Sequence, residues 1–401
     1  MKPIYIAAYH QSHFGRLGAL TQEEMLAAAT VNLCAEIGVT PAVIDSASIA
    51  AVCAGSLHQQ GLLAGLLAGV PGMAGKPIET VENACASGGQ AVLNGIARLQ
   101  AGMGDIALAV GIEKMRDSDG RADGKQVGEA LGYFSHPAER PGKTFVFPHI
   151  FAEIMQQYMT RWGVSETDLA AIAAQEYANA RHNPRAQMHS NAVTREQITT
   201  MAGANRYLID GLPLKTFDCS QITDGYAALL LATPEGLSRL GISPHAGVRI
   251  TGWASAVDPL QPDLRQVLEP PGAYHAMDAA YRMAGVTPMQ IRVAEVHDCF
   301  TVMGALATEI LGKAQPGQGA AYWVEGMARP AGDCGINTSG GLIAKGHPVG
   351  ATGIAMIGWA ALQLLGQAPA PLQVREAEFA ATFNIGGPVC ASVSTVLRAP
   401  Q

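Results

Sequence analysis

The sequence predicts an α/β protein with a mostly parallel sheet that is buried on both faces. Short apolar runs alternate with helical patterns in residues 1–115, which is typical of buried parallel strands. A polar, loop-rich stretch over residues 116–217 interrupts this alternation, which begins again at Val248. The order of the segments indicates a duplicated α/β unit that carries an inserted segment.

The first half contains the segments on which this interpretation depends. Thr21 and Glu24 match a capping box for a helix over 22–37, and Gly38 suits its C-terminal end. A second helix, small and apolar, is predicted over 86–99, with Gly102 as its stop signal. The predicted strands of this half are 4–8, 49–54 and 105–111.

The rest of the chain divides into the inserted segment and a second half. We expect an N-terminal half over 1–117 and 218–245, an inserted loop domain over 118–217, and a C-terminal half over 246–401. The predicted helices in these parts are 151–162, 166–182, 274–284 and a helix after His347 that runs to Leu365. The predicted strands are 227–232, 249–252, 293–298, 379–387 and 391–397.

Composition excludes several classes of protein. The chain has 401 residues, of which 48% are hydrophobic and 15% charged, so we expect a large interior and buried subunit surface. The net charge of −7, with no basic run interleaved with aromatic residues, argues against a nucleic-acid partner. Apolar runs fall short of the about 20 residues that a membrane span needs, or contain glycine and polar residues.

Cysteine usage indicates a reducing compartment. The seven cysteines are scattered, odd in number and without a C-x-x-C pair, which favours neither a disulfide framework nor a zinc knuckle. A strand begins at Ile4, so we expect no signal peptide, and the last residues do not match a peroxisomal address. A cytoplasmic location is therefore expected.

Cys85 is the candidate nucleophile. It stands in Asn83-Ala84-Cys85-Ala86-Ser87-Gly88, at the expected start of the helix over 86–99. The free N–H groups and the positive dipole end of a helix favour a thiolate. The alternative is an inert buried cysteine, since free cysteines are among the most buried residues.

Three further segments carry reactive side chains in glycine-rich or strand-end settings. His347 lies in a glycine-dense turn before a buried helix and is the candidate base for Cys85. Cys299, in His297-Asp298-Cys299-Phe300, could serve as a second acid and base. The N–H groups of Cys85 and Gly386, together with the His297 ring, could hold carbonyl oxygens that gain charge.

Each of these assignments has an alternative. His297 and Cys299 could be half of a metal site, but no further ligand pair has a suitable spacing, so no metal is predicted. His347 before Pro348 is also consistent with the end of a simple turn. The glycines match neither a dinucleotide fingerprint nor a phosphate loop, and residues 83–87 lack the flanking glycines of a hydrolase elbow.

These motifs together resemble the thiolase family, nearly end to end. The matching segments are Asn83 to Gly88, Ser220-x-x-x-Asp224-Gly225, and the long string from Asn337 to Gly353. The resemblance implies a five-layered αβαβα thiolase fold, built from two βαβαβαββ halves plus an inserted loop domain, and a homodimer or homotetramer. It also implies acyl-CoA substrates, ping-pong transfer through an acyl-Cys85, and coenzyme A as a substrate with no tightly bound cofactor.

Two segments depart from the degradative and biosynthetic thiolases. His297-Asp298-Cys299-Phe300 replaces their Asn-Glu-x-Phe, and Asn384-Ile385-Gly386 replaces their Cys-x-Gly. Both changes are similar to the sterol-carrier-protein-type thiolases, although no sterol-carrier domain is expected after the last strand.

The roles that this subgroup implies can be assigned residue by residue. Cys85 would be the nucleophile, His347 would activate it, and Cys299 would move the α-proton of the substrate. His297 would polarise the substrate carbonyl, and the amides of Cys85 and Gly386 would form a second oxyanion hole. The resemblance also places two residues at the substrate or coenzyme A, namely Ser220 and Asn384.

Two other functions remain open at this point. One is a carbon–carbon lyase of retro-aldol type on the same scaffold, against which the presence of Cys85 counts. The other is a subunit of a multienzyme complex, either an acyltransferase subunit or a non-catalytic partner, and the retained reactive residues count against the non-catalytic form.

Overall fold

The computed structural model describes residues 1–117, 119, 121–191 and 193–400, so the predicted start of the inserted segment at residue 118 lies outside it. The described residues form ten strands: β1 Ile4–Gln11, β2 Ser46–Ala50, β3 Ile78–Val81, β4 Ile106–Glu113, β5 Gly225–Ala232, β6 Val248–Val257, β7 Ile291–Val296, β8 Gly335–Ile336, β9 Phe379–Gly386 and β10 Ala391–Arg398. Their helices are α1 Gln22–Ala35, α2 Ala54–His58, α3 Leu63–Ala68, α4 Ser87–Gln100, α5 Gly124–Gly132, α6 Val146–Trp162, α7 Glu166–Ala180, α8 Arg195–Thr199, α9 Pro234–Arg239, α10 Pro271–Ala284, α11 Thr301–Ile310, α12 Gly319–Val324 and α13 Val349–Leu364.

The strand order confirms the predicted duplication. The sheet runs β3-β2-β4-β5-β1-β6-β10-β9-β7-β8. Counted within each half, the strands follow the same order, 3-2-4-5-1, from the outer edge to the junction. The halves meet where β1 and β6 pair antiparallel, with Ile4 opposite Ile250.

The expectation of a mostly parallel sheet is wrong. Strand β2 pairs in parallel with β3 and β4, and β7 pairs in parallel with β8 and β9. The central strands β5, β1, β6 and β10 pair antiparallel with their neighbours. An unbroken apolar run shows that both faces of a strand are buried, but it does not fix the direction of the strand.

Helices α4 and α13 lie at the centre of the molecule. They pack against each other and against strands of both halves, whereas α1 covers β4 and β5 and α10 covers β6 and β10. The helix pair approaches closely because its contact residues are glycines. A Cβ added at Gly88 would lie 2.8 Å from the Gly350 carbonyl oxygen. Helices α4 and α13 thus form the central helical layer between strands of the two halves, and α1 and α10 form the outer layers, which gives the expected αβαβα order.

Some predicted ends of helices and strands agree with the structure, and others differ from it. The capping box of Thr21 and Glu24 is present in α1, as predicted. Strand β2 ends at Ala50, not at residue 54, because Cys53 begins the short helix α2. Helix α11 was not predicted, since it is buried all round and therefore lacks an amphipathic pattern.

The segment between β4 and β5 places two helices against the second half. Helix α7 packs on α11, α12 and a short π-helical turn, Gly341–Lys345. Phe151 of α6 stacks on Phe300 with ring centroids 4.5 Å apart. The division of the chain into two halves and an inserted domain stays a prediction. None of the helices described is long and apolar enough to cross a membrane.

Candidate active site

Cys85 lies in the tight turn between β3 and α4. Ala84 adopts a φ of 47°, a left-handed conformation that is uncommon for a residue with a side chain. Ser87 fixes the turn, because its Oγ accepts from the Asn83 N–H at 2.8 Å and donates to the Ala84 carbonyl at 2.6 Å. Helix α4 begins at Ser87, so Cys85 precedes the helix. The sequence had suggested that Cys85 would lie in the first residues of the helix.

The end of β9 packs directly against this turn. A Cβ at Gly386 would overlap the Asn83 carbonyl oxygen and lie 3.0 Å from the Ala86 nitrogen. Gly386 therefore allows the two backbones to approach. The backbone amides that act on the Cys85 sulfur are those of the next residue, Gly387, and of Cys85 itself.

The Cys85 thiol is neutral in this environment. Burial and the nearby Glu113 carboxylate raise its pKa to about 12, although hydrogen bonds from backbone N–H groups oppose the shift. This differs from the expectation of a thiolate stabilised by the helix end, because Cys85 lies outside the helix and faces a buried carboxylate. Such a thiol needs a base to become a nucleophile.

His347 can be that base. Its backbone N–H donates to Thr223 Oγ1 at 3.1 Å, and its Nδ1 lies 2.7 Å from Thr352 Oγ1. The single hydroxyl proton of Thr352 is directed to the Pro348 carbonyl, 3.0 Å away, so Nδ1 of His347 must be the donor. Nε2 then carries the free lone pair. Burial and the Lys345 charge lower the pKa of His347 to about 3, so the ring is neutral near pH 7.

His297 has the opposite tautomer. The Asn384 amide oxygen accepts from the Gly89 N–H at 3.3 Å, so the amide nitrogen faces Nδ1 of His297 at 2.9 Å. Nδ1 therefore accepts, and Nε2 carries the proton. The same Asn384 nitrogen donates to the Cys85 carbonyl at 3.1 Å, which ties β9 to the Cys85 turn. Burial and the neighbouring His347 keep the pKa of His297 well below its usual value.

Cys85, His297 and His347 converge on one point. Their sulfur and ring nitrogen atoms lie within 4.8 Å of one another, and the two rings meet edge to face with centroids 5.0 Å apart. Such a group has the composition of a metal site. However, Asn384 holds His297 in the tautomer that donates, whereas a metal ligand must offer a lone pair. The arrangement suits a substrate oxygen better than an ion.

Cys299 completes the group. It is buried, and burial, with the neighbouring Cys85 thiol and Asp298 carboxyl, holds its pKa well above the usual value, so it carries a proton. Its carbonyl accepts from the Ser220 N–H at 2.9 Å, which places the predicted substrate residue Ser220 beside the His297–Phe300 segment. The structure thus brings all seven predicted site residues into one region.

Sequence reasoning missed several residues that support this site. Glu113 ends β4 and accepts from the N–H groups of Val52, Cys53 and Gly350 at 3.0 to 3.1 Å. The available signal was an acidic residue at the end of a wholly apolar run. Thr352 was part of the motif, but its contact with His347 depends on the first turn of α13.

Comparison with known proteins places this site in a family. The model "Thiolase, N-terminal domain" matches residues 4–235, and "Thiolase C-terminal domain-like" matches residues 257–399. The chain therefore belongs to the thiolase family. It is a thiolase-type acyltransferase that acts on CoA thioesters.

Two curated relatives illustrate the range of the similarity. An acetyl-CoA acetyltransferase of Methanothermobacter thermautotrophicus is 33% identical over 387 residues, which cover 96% of this chain and 97% of that protein. Sterol carrier protein 2 of Oryctolagus cuniculus is 31% identical over 330 residues, which cover 79% of this chain and 57% of that protein.

Solved structures share the fold at low identity. The human mitochondrial 3-ketoacyl-CoA thiolase matches with a TM-score of 0.72 and 16% identity, covering 100% of this chain and 99% of that one. An Ltp2-ChsH2(DUF35) aldolase matches with a TM-score of 0.78 and 18% identity, covering 100% and 98%. The expected thiolase fold is confirmed.

Proposed function

We propose that the enzyme cleaves 3-ketoacyl-CoA, or forms it in the reverse direction, by ping-pong transfer through an acyl-Cys85. The observation that carries this proposal is the pair of opposite tautomers beside one thiol. His347 offers a lone pair and His297 offers an N–H, and both lie within 4.8 Å of the Cys85 sulfur. One ring is set to take the thiol proton, and the other to hold a carbonyl oxygen.

In the first half-reaction, these residues supply the nucleophile, its base and the proton for the leaving enolate. His347 Nε2 takes the proton of Cys85, and the thiolate attacks the 3-keto carbon. The bond between C2 and C3 then breaks, which leaves the acyl group on sulfur. The departing enolate takes its proton from Cys299, a neighbour of Cys85 that is protonated in the resting site.

The second half-reaction restores every group. The thiol of coenzyme A gives its proton to the Cys299 thiolate and attacks the acyl-Cys85 carbonyl. The Cys85 thiolate leaves and recovers its proton from the His347 imidazolium. In the condensation direction the same steps run in reverse, with Cys299 removing the α-proton.

The oxyanions of the two half-reactions need separate donors. Nε2–H of His297 is placed to hold the thioester oxygen of the enolate. The second oxyanion would be held by two backbone amides, that of Cys85 in its turn and that of Gly386 at the end of β9. The amide of Gly387 lies next to them. Ser220 and Asn384 belong to the region that takes the substrate or coenzyme A. Asn384 contributes by holding the His297 ring and the Cys85 carbonyl in place.

We also propose that the enzyme works as a cytoplasmic homodimer or homotetramer, with coenzyme A as substrate and no tightly bound cofactor. The support for this is the family membership, the large apolar fraction of 48% and the scattered cysteines.

Two cysteine variants test the division of roles. Exchange of labelled coenzyme A into acetyl-CoA needs only acyl transfer, whereas thiolysis of acetoacetyl-CoA also needs proton transfer at carbon. Cys85→Ala should abolish both reactions. Cys299→Ala should lose thiolysis but keep a slower exchange, because a thiol with an ordinary pKa of about 8.5 can lose its proton to water, whereas the enolate carbon needs a proton donor in the site. Cys34→Ala, at a buried position of α1 in the first half, is the matched control and should keep both. Full thiolysis by Cys85→Ala would refute the mechanism.

A further inference from the structure

Two buried carboxyl groups meet where α7 contacts the His297–Phe300 segment. Glu176 belongs to α7, Asp298 stands between His297 and Cys299, and both side chains are completely buried. The two carboxyls are adjacent, and each influences the pKa of the other. A Cβ at Gly341 would overlap both of them, so the backbone closes over the pair.

The hydrogen-bond donors around the pair are unequally shared. Asp298 accepts from the N–H groups of Leu342 and Ile343 at 2.8 and 3.3 Å. Glu176 Oε1 accepts from the Asn337 amide at 2.9 Å. In the part of the chain that the structure describes, Glu176 Oε2 is buried and has no donor. A carboxylate oxygen left in this way is costly, whereas a carboxylic acid needs one acceptor for its hydroxyl, and the Asp298 carboxylate is adjacent.

The charges around the pair also indicate that one of the two carboxyls is protonated. The titratable groups that face it are Glu295 and Lys345 on the neighbouring elements, Tyr177 beside Glu176 and Cys299 beside Asp298. Lys345 lies 3.4 Å from Glu295, so its charge is already opposed. Among the described residues, no salt bridge reaches Glu176 or Asp298. Two adjacent carboxylates without a counter-charge would repel strongly in a dry interior, so they hold one proton between them.

We propose that Glu176 is a carboxylic acid at neutral pH, that it donates to the Asp298 carboxylate, and that this bond positions His297 and Cys299. The proton belongs on Glu176 because Asp298 already has two backbone donors. Burial and the Asp298 charge, which raise the pKa of Glu176 well above its usual value, support this assignment. The positioning role rests on the proposed function of His297 and Cys299, whereas the protonation state does not.

Two substitutions at Glu176 separate the hydrogen bond from the charge. The amide of Glu176→Gln can donate to Asp298 and accept from Asn337, so it replaces both contacts with nearly the same shape. Glu176→Leu fills the space but leaves Asp298 without that donor. We expect Glu176→Gln to keep kcat for thiolysis, and Glu176→Leu to lower kcat by about 10- to 100-fold, as for other groups that orient catalytic residues. If both variants keep kcat, the positioning role is excluded.

Infrared difference spectroscopy tests the proton directly, on the intact enzyme and without substrate. At pH 9 the carboxyls of Glu113 and Glu309, whose pKa values burial raises to about 7, are ionised and do not contribute. The wild-type enzyme should show the C=O band of a protonated carboxylic acid, which Glu176→Gln should lack. Cys85→Ala should retain the band, whatever its activity. The variant cancels the contributions of all other carboxyls, so absence of the band from the difference spectrum of the wild type and Glu176→Gln at both pH 7 and pH 9 would overturn the proposal.

Discussion

Nδ1 of His347 donates to Thr352 Oγ1 across 2.7 Å, and this one contact decides which nitrogen of the ring can take a proton. Thr352 lies in the first turn of α13, directly after the segment that carries His347. The start of the helix therefore sets both the position and the tautomer of the proposed base.

The contact predicts a specific effect of Thr352→Val. Valine has nearly the shape of threonine but cannot accept a hydrogen bond, so the imidazole can adopt the other tautomer. We expect kcat/KM for thiolysis to fall by about 10- to 100-fold, a range typical of groups that orient a catalytic histidine. Thr352→Ser, which keeps the hydroxyl, should recover most of the activity. Equal kinetics for the valine variant and the wild type would contradict the assigned role.

Asn384 sets the tautomer of His297 in the same way. Asn384→Leu removes the donor that faces Nδ1 without adding a charge, so nothing holds the His297 ring in the tautomer that carries Nε2–H. The oxyanion then loses one donor, and we expect kcat to fall by about 100- to 1000-fold. Steady-state thiolysis kinetics measure this. Ser392→Ala in the neighbouring strand β10 is a buried control and should leave kcat within a few-fold. Unchanged kcat in Asn384→Leu would show that Asn384 does not set the donating tautomer of His297.

The charge of Glu113 should control how fast the resting Cys85 thiol reacts. Its negative charge raises the pKa of Cys85, so a neutral amide in its place should lower that pKa and increase the thiolate fraction at a fixed pH. At pH 9, iodoacetamide should alkylate Cys85 in Glu113→Gln roughly 3- to 10-fold faster than in the wild type. Peptide mapping identifies the residue. Glu82→Gln, which removes a weaker influence on the same thiol, should have a smaller effect. A slower reaction in Glu113→Gln would contradict this electrostatic assignment.

The same carboxyl predicts a pH-dependent stability. Burial raises the pKa of Glu113 from 4.5 to about 7, so between these values the folded protein keeps a proton that the unfolded chain has lost. Raising the pH through this range therefore favours unfolding, by a total on the order of 3 kcal/mol, and the loss ends above pH 7. Urea unfolding of the wild type and Glu113→Gln at pH 5 and pH 8 measures it. The stability of the wild type relative to the variant should be greater at pH 5. A difference that grows with pH would have the wrong sign.

Glycine at position 88 predicts a packing effect. An alanine Cβ there would lie 2.8 Å from the Gly350 carbonyl and 2.9 Å from the Gly353 nitrogen, so α4 and α13 would have to move apart. We expect Gly88→Ala to lower the free energy of unfolding by about 1–3 kcal/mol. Gly55→Ala is the matched control, because its Cβ meets no described atom within 4 Å and alanine favours the helix. If both variants unfold at the same urea concentration, the helices are not in close contact.

The residue pattern was sufficient for the duplication and for five of the residues that meet at the site, whereas Ser220 and Asn384 were assigned from the family resemblance. Both depend on local signals, namely apolar runs, glycine-rich turns and a few reactive side chains. Strand direction was not predictable in this way, because Gly225–Ala232 has the same apolar pattern whether it pairs parallel or antiparallel. Helix α11 was missed for a related reason, since a fully buried helix has no polar face.

The electrostatics of the site were beyond the sequence. The expected thiolate at Cys85 assumed a helix that begins one residue earlier and took no account of Glu113, which is distant in sequence from that turn. The opposite tautomers of His297 and His347 depend on Asn384 and Thr352, and these contacts exist only when strand, turn and helix are assembled. The roles assigned to these residues remain predictions for the experiments above.

The central claim is that Cys85 carries the acyl group, and the mass of the intact protein tests it most directly. The enzyme is mixed with acetoacetyl-CoA and quenched, the adduct is located by peptide mapping, and a second sample is first chased with free coenzyme A. We predict one acetyl group on Cys85, which the chase removes. A folded, active enzyme that turns over acetoacetyl-CoA without any adduct, or with the acetyl group on another cysteine, would contradict the account.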